Sequence, residues 1–313
     1  MLVPGRSCPV SYRYGARALR CAPALETEAL WIAGGLYGNR FALQALLDAY
    51  DRDSGRTALV FNGDFHWFDA EPEEFAHINR TVLGFSATRG NVETELAEPA
   101  VGAGCGCGYP DWVGEDTVAR SNRIMERLRG AAAGLHHTLA ALPMHLAARV
   151  GGARVGIVHG DADTLAGWNF SQETLATDEG LRRAEAAFAE ADVEIFASSH
   201  TCLPVLQAFA RGRILINNGA AGMPNFRGEL YGLATRIGIS PARESVYGLR
   251  CGELFVDAVP LRYDHAAWRR RFLELWPPGS DAHASYYERI VTGPRYEVES
   301  ARRLLPAPAW HEA

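Results

Sequence analysis

The sequence predicts an α/β protein whose mixed sheets are covered by helices on their outer faces. Short apolar, β-branched runs alternate with helix-period stretches through the first third of the chain, as crossover-linked strands do. Hairpin signatures follow at Gly151-Gly152 and Arg211-Gly212, so antiparallel pairs join the sheets. Several strand-like runs also end in polar clusters, and loops at the carboxyl ends of strands are where such sheets gather ligand-binding groups.

The elements follow in order. Residues 1–26 carry Arg6, Arg13, Arg17 and Arg20 with no acid before Glu26, a faint likeness to a transit peptide. Pro4, Gly5, Pro9, Gly15 and Pro23 break any amphipathic helix there, so a strap lying over the domain surface is expected. Residues 27–260 form the main domain. Leu30–Ala33 is a buried strand, and Phe41, Leu43, Leu46 and Leu47 recur at helical spacing after a tight Gly34–Asn39 loop. Thr57–Phe61 is a second strand running into Asn62-Gly63-Asp64. Residues 71–83 open with acids suited to a helix N-terminus. Gly84–Ala87 is a strand ending at Thr88–Asn91, and Glu98–Gly114 is a loop containing Cys105-Gly106-Cys107. Helices come next, the first with Val118, Ile124, Met125 and Leu128 as its buried stripe. Hairpin strands 144–150 and 154–158 lead to His159, a helix near 179–191 precedes strand 193–197, and 203–209 pairs with 213–216. Residues 228–260 are strand-rich. Residues 261–313 form a helical extension, expected to pack on the same domain or to make a homodimer contact.

Composition excludes several classes. Hydrophobic content of 48% and charged content of 22% suit a soluble globular chain. The formal net charge of −6 argues against nucleic acid as a partner. No lysine occurs, which removes a Schiff-base or phosphate-loop lysine. No apolar run approaches a membrane span. Six cysteines in 313 residues do not make a disulfide scaffold, and a reducing cytoplasm is the default location.

Five strand ends carry polar clusters: Gly34–Asn39, Asn62–Asp64, Gly90–Glu93, His159–Asp161 and Ser199–Cys202. Asp64, Asn91, His159 and His200 supply oxygen and nitrogen donors suited to Mn, Fe or Zn. Each alone is weak, since an Asn or Asp beside Gly serves turns equally well. Their order at successive strand ends is the specific signal. With Gly35-Leu36-Tyr37-Gly38-Asn39, Gly63-Asp64, Gly90-Asn91-Val92-Glu93, His159-Gly160 and Ser199-His200-Thr201-Cys202, the chain resembles the calcineurin-like metallophosphoesterase superfamily. The likeness runs from about Leu30 to Gly222, and the small bacterial phosphodiesterase branch is the nearest pattern. It implies a four-layer α/β/β/α sandwich of two mixed sheets flanked by helices, with the site at the sheet edges.

The departures are informative. The resemblance implies two ions sharing the Gly-Asp aspartate. One ion takes the first-motif Asp and His plus the final His; those positions are Gly35, Tyr37 and Cys202. The other ion takes Asp64, Asn91, His159 and His200, all present. Two-metal hydrolysis clamps phosphoryl oxygens between ions roughly 3.5–4 Å apart, so half of that clamp is altered. The third-motif histidine, often the general acid, is Val92, leaving Glu93, His66 or solvent to move protons. Cys202 is itself a competent ligand as thiolate, and Cys105 and Cys107 in their Gly-rich loop could join it with Asp64 and His66 in a softer zinc or iron site.

Phosphate candidates are Asn39 in the first loop, Arg89 and Arg227, although salt bridging is the commoner fate of an arginine. Trp67, Phe68, Trp112 and Trp168 could wall a pocket or belong to the core. Asp161 and Asp163 could orient His159 or cap a turn. The expected activity is a metal-dependent phosphoesterase with one intact site and a metal-activated water, acting on a phosphodiester or small phosphorylated metabolite, with Asp64, His200, Glu93 and His66 as catalytic candidates. The competing expectations are a non-catalytic member kept as a binding or scaffolding module, and a redox or metal site built on Cys105, Cys107 and Cys202.

Overall fold

The computed structural model describes residues 3–99 and 102–304. Two sheets face each other. The first runs in the order Tyr247–Cys251, Leu254–Leu261, Gly232–Gly238, Ala29–Ala33, Thr57–Asn62, Ser86–Thr88. Its last three strands are parallel and its first three antiparallel. The second runs Ala24–Thr27, His145–Val150, Ala153–Val158, Ile195–Ser198, Ile214–Asn217, Val205–Ala208, Arg302–Arg303. It also mixes directions, with antiparallel hairpins at 145–158 and 205–217 joined through parallel pairs.

Alternation along each strand builds the layers, because successive side chains point to opposite faces. Leu30, Ile32 and Val60 meet Val155, Ile157, Ile195 and Ile216 between the sheets. Trp31, Ala33, Leu59 and Phe61 point the other way, into a core with helices Arg40–Asp51, Pro72–Val82, Glu115–Ala131, His265–Leu275 and Asp281–Thr292. On the far side Val158, Phe196 and Leu215 pack against Phe188 and Ala184 of helix Asp178–Ala191. The result is helix, sheet, sheet, helix.

Three elements differ from the sequence expectation. Residues 24–27 are not strap but the edge strand of the second sheet, paired parallel with His145–Val150; their alternation is too short to declare itself. Asn91–Ala97 is a helix, buried throughout, where the sequence suggested only a strand-end turn. The segment after Glu297 ends in a two-residue strand against Val205–Ala208. The C-terminal helices lie on the same body: Trp268 and Trp276 are buried, and Trp276 Nε1 donates to Phe68 O at 2.8 Å. No helix among the described residues is long and apolar enough to cross a membrane.

Candidate metal centre

The carboxyl ends of the parallel strands from both sheets open on one edge. Thr57–Asn62 delivers Gly63 and Asp64 in left-handed backbone. Glycine is required at 63, since a Cβ there would lie 2.6 Å from Gly90 N and from His159 Nδ1. Gly90 is equally constrained, because its Cβ would sit 2.2 Å from Asp64 Oδ1. The two missing side chains are the space into which Asp64 and His159 fit.

Four donor atoms converge there. His159 Nε2 is 3.4 Å from Asp64 Oδ1, 3.3 Å from Asn91 Oδ1 and 3.2 Å from His200 Nδ1. Asp64, His159 and His200 have ligand atoms within 4.8 Å of one another, and no cysteine joins that group among the described residues. Each donor is aimed by a backbone partner on its far side. His159 Nδ1 sits 2.8 Å from Asn62 O, and His200 Nε2 sits 2.9 Å from Cys107 O. Asn91 Nδ2 donates to Cys105 O at 3.0 Å, which turns Oδ1 inward. Asp64 Oδ1 also accepts from Val92 N at 3.1 Å.

A carbonyl accepts only, so the outer nitrogen of each ring must carry its proton and the inner nitrogen of each neutral ring is a bare lone pair. Four acceptors therefore face one another in a buried site with no donor between them. Such a cluster is repulsive until a cation enters, whether a proton or a metal ion. One carboxylate, one amide oxygen and two imidazoles is a donor set that suits a divalent first-row ion.

Electrostatics agree. Burial alone would raise Asp64, but His159 beside it outweighs burial and holds the carboxyl below its ordinary 3.8. Burial alone would lower His159, but the Asp64 carboxylate holds it above 6.5. Burial and the His159 charge together push His200 down to about 4.

The other half of the expected pair is filled by protein. Gly35 and Tyr37 both have positive φ, and the Tyr37 ring lies against Gly35, where a Cβ would be 2.9 Å from the ring. Tyr37 Oη is 2.8 Å from Cys202 Sγ. Burial raises the pKa of the phenol well above 10, and burial raises the Cys202 thiol as well. Burial thus favours the neutral form of both groups, and Cys202 is not in the donor cluster found among the described residues. The Cys105 and Cys107 sulfurs lie against each other, and no cysteine joins the donor cluster among the described residues, so the thiolate-rich site drawn from the sequence is not assembled. Their loop reaches the centre through its carbonyls instead, which residue-type reasoning about sulfur does not anticipate.

The remaining candidates fall away from the centre for definable reasons. Glu93 is buried, and its carboxylate accepts from the amides of Asp64, Phe65, His66 and Gly90 at 2.8–3.3 Å. It ties two ligand loops together and has no free face for proton transfer. His66 is buried with Nδ1 2.5 Å from Asp69 Oδ2, and its ring stacks on Phe75 at 3.5 Å. Its two-residue spacing from Asp64 suggested a shared direction, but the left-handed turn at Asp64 breaks the extended backbone on which that depends. Asn39 caps helix Arg40–Asp51 through Phe41 N and Ala42 N and donates to Gly222 O. Arg89 bonds Ala140 O. Arg227 pairs with Glu297 on the surface. Asp161 accepts from Asp163 N, Thr164 N and Asn169 N and so caps a turn.

Beside the centre lies a cavity of about 230 Å³. Trp67 and Trp168 line it, as do Tyr37, Tyr109 and Tyr286, whereas Phe68 belongs to the core. Tyr109 and Tyr286 went unflagged in the sequence because neither adjoins a ligand motif. Asn62, in one of the polar strand ends, and Asn218 were given no role of their own. Asn62 Nδ2 reaches Val158 O at 2.7 Å, and Asn218 Nδ2 reaches Gly34 O and Leu233 O, so both amides stitch the two sheets together beneath the site.

Sequence comparison finds no matching family model and no matching curated protein. Structural comparison does find neighbours. A metallophosphoesterase from Sphaerobacter thermophilus superposes with a TM-score of 0.54 at 18% identity, covering 85% of this chain and 100% of that one. A hypothetical protein from Pyrococcus horikoshii OT3 superposes with a TM-score of 0.58 at 14% identity, covering 85% and 99%. The chain shares its fold with the Sphaerobacter thermophilus metallophosphoesterase.

Proposed function

We propose that the protein is a metal-dependent phosphoesterase acting on a phosphodiester or small phosphorylated metabolite at a single divalent cation. The observation that carries this is the all-acceptor quartet of Asp64, Asn91, His159 and His200, in which Asn91 and both histidines are oriented by carbonyl partners that leave their lone pairs facing inward. A Mn, Fe or Zn ion held there would polarise a phosphoryl oxygen and acidify water. Asp64 supplies the anionic charge for that ion, and the two imidazoles stay neutral ligands once the cation displaces the proton on His159. Trp67, Trp168 and Val92 wall the cavity and limit water around the substrate. Neither Glu93 nor His66 faces it, so the leaving group takes its proton from solvent or from the Thr201 hydroxyl in the lining.

The test is hydrolysis of bis(p-nitrophenyl) phosphate with and without Mn. Metal-dependent turnover that falls at least about a hundredfold in Asp64→Ala supports the proposal. Inactivity across Mn, Fe and Zn with an ion still bound would sink it. That result would favour a non-catalytic binding module, the reading supported by Tyr37 and Cys202 standing where ligands of a second ion would be.

A further inference from the structure

We propose that the cavity recognises a phosphodiester carrying one flat, uncharged aromatic ester group, with the phosphate toward the Asp64 quartet and the ring among the aromatic side chains beside it. This substrate class rests on the phosphoesterase reading of the same site. Five aromatic residues line the cavity: Tyr37, Trp67, Tyr109, Trp168 and Tyr286. Three of them have their polar handles engaged by the protein, so that what they offer a ligand is apolar ring surface. Trp168 Nε1 donates to Cys107 O at 3.1 Å, Tyr109 Oη lies 3.0 Å from Ser121 Oγ, and Tyr37 Oη meets Cys202. Trp168 links wall to centre, its ring 5.5 Å from His200 and 6.0 Å from Tyr109. Outside it stands Trp112, 59% exposed and edge-on to Trp168 at 6.2 Å. A large exposed indole beside a cavity mouth is a stacking surface for an entering ring.

Charge and size narrow the class. Among the described residues no arginine lines the cavity, and Asp64 is its only carboxylate. A monoester dianion or polyphosphate would bring two or more charges to a lining whose positive charge would be one cation already shared with Asp64. The Arg289 guanidinium is felt at Cys202 and Tyr37 but is engaged by the carbonyls of Cys202 and Pro224. A diester brings one charge. At about 230 Å³ the space falls below the roughly 300–1,000 Å³ of drug-sized sites, so it takes one ring system and not two.

The experiment is calorimetric titration of the Mn-loaded protein with methyl phenyl phosphate, dimethyl phosphate and phenyl phosphate. The expected result is methyl phenyl phosphate binding about tenfold or more tighter than dimethyl phosphate, and tighter than phenyl phosphate. In Trp67→Leu and Tyr109→Leu the phenyl-to-methyl preference should shrink to about threefold or less; being a ratio, it is insensitive to a general loss of affinity. Equal binding of the two diesters, binding of neither, or preference for the monoester overturns the proposal. Phenol release from methyl phenyl phosphate separates the two claims. Selective binding without release leaves the recognition standing and removes the esterase. Hydrolysis without aromatic preference does the reverse.

Discussion

At the scale of single residues, the centre is a contest between a proton and a metal ion for the same lone pairs. Below its raised pKa, His159 carries a proton on Nε2, directed at Asp64, Asn91 and His200. A cation must displace that proton, so binding releases it. His200, with a pKa pushed down to about 4, is already neutral over this range and adds nothing until the pH nears that value. Apparent metal affinity should therefore fall by roughly tenfold per pH unit below the pKa of His159 and level off above it. Calorimetry between about pH 6 and pH 8.5 reads this directly, and a flat profile would mean that His159 is not a ligand. Glu93 behaves differently. Burial and the neighbouring Asp64 charge push its carboxyl up, while the amides it accepts from pull the other way. Glu93→Gln should lower stability by roughly 1.5–3 kcal/mol, seen as a lower urea midpoint at unchanged slope, with metal stoichiometry kept. Wild-type stability with lost hydrolysis would instead make Glu93 a proton-transfer group. All four residues that the structure brings together were named from the sequence, because each follows a strand in a recognisable motif. The roles of Glu93, His66 and Asn39 were not legible there: each is consumed by a local hydrogen bond that residue type and spacing leave open.

At the scale of elements, the N-terminal strap reaches the metal centre through one loop. The Arg6 guanidinium donates to Pro110 O at 2.7 Å and Val113 O at 2.6 Å and pairs with Glu115. Gly5 exchanges backbone bonds with Ala103 and Tyr109. The loop so held presents Cys105 O to Asn91 and Cys107 O to His200. Arg6→Ala should cost roughly 1–3 kcal/mol, speed amide exchange across residues 103–113 and weaken metal binding several-fold. Unchanged exchange in that segment would show that the strap does not fix the loop. The elements themselves were largely readable: hairpins, crossover strands and amphipathic helices each have a period. Helix Asn91–Ala97 was not, being short and buried on all sides, so that its polar residues Asn91, Glu93, Thr94 and Glu95 mark no solvent face.

At the scale of the whole molecule, the centre exists because two sheets align their carboxyl edges. Asp64 and Asn91 leave the first sheet, His159 and His200 the second. Asn62 crosses between them, donating to Val158 O and accepting from Thr88 Oγ1. Neither the strand order nor this cross-stitching can be read from periodicity, since pairing partners are distant in sequence and set by packing. The motif order stood in for that missing geometry. It could say which residues stand at the altered positions but not that two of them meet. Tyr37 and Cys202 form a neutral contact in place of half the expected machinery, and the sulfurs of Cys105 and Cys107 do not restore it.

The most direct measurement of the central claim is metal content per chain, on protein purified without added metal and then saturated with Mn or Zn. One cation per chain is predicted, lost in Asp64→Asn and His159→Ala and retained in Cys202→Ser. Two cations per chain, one of them lost in Cys202→Ser, would contradict the account by showing that the second half of the site is built after all.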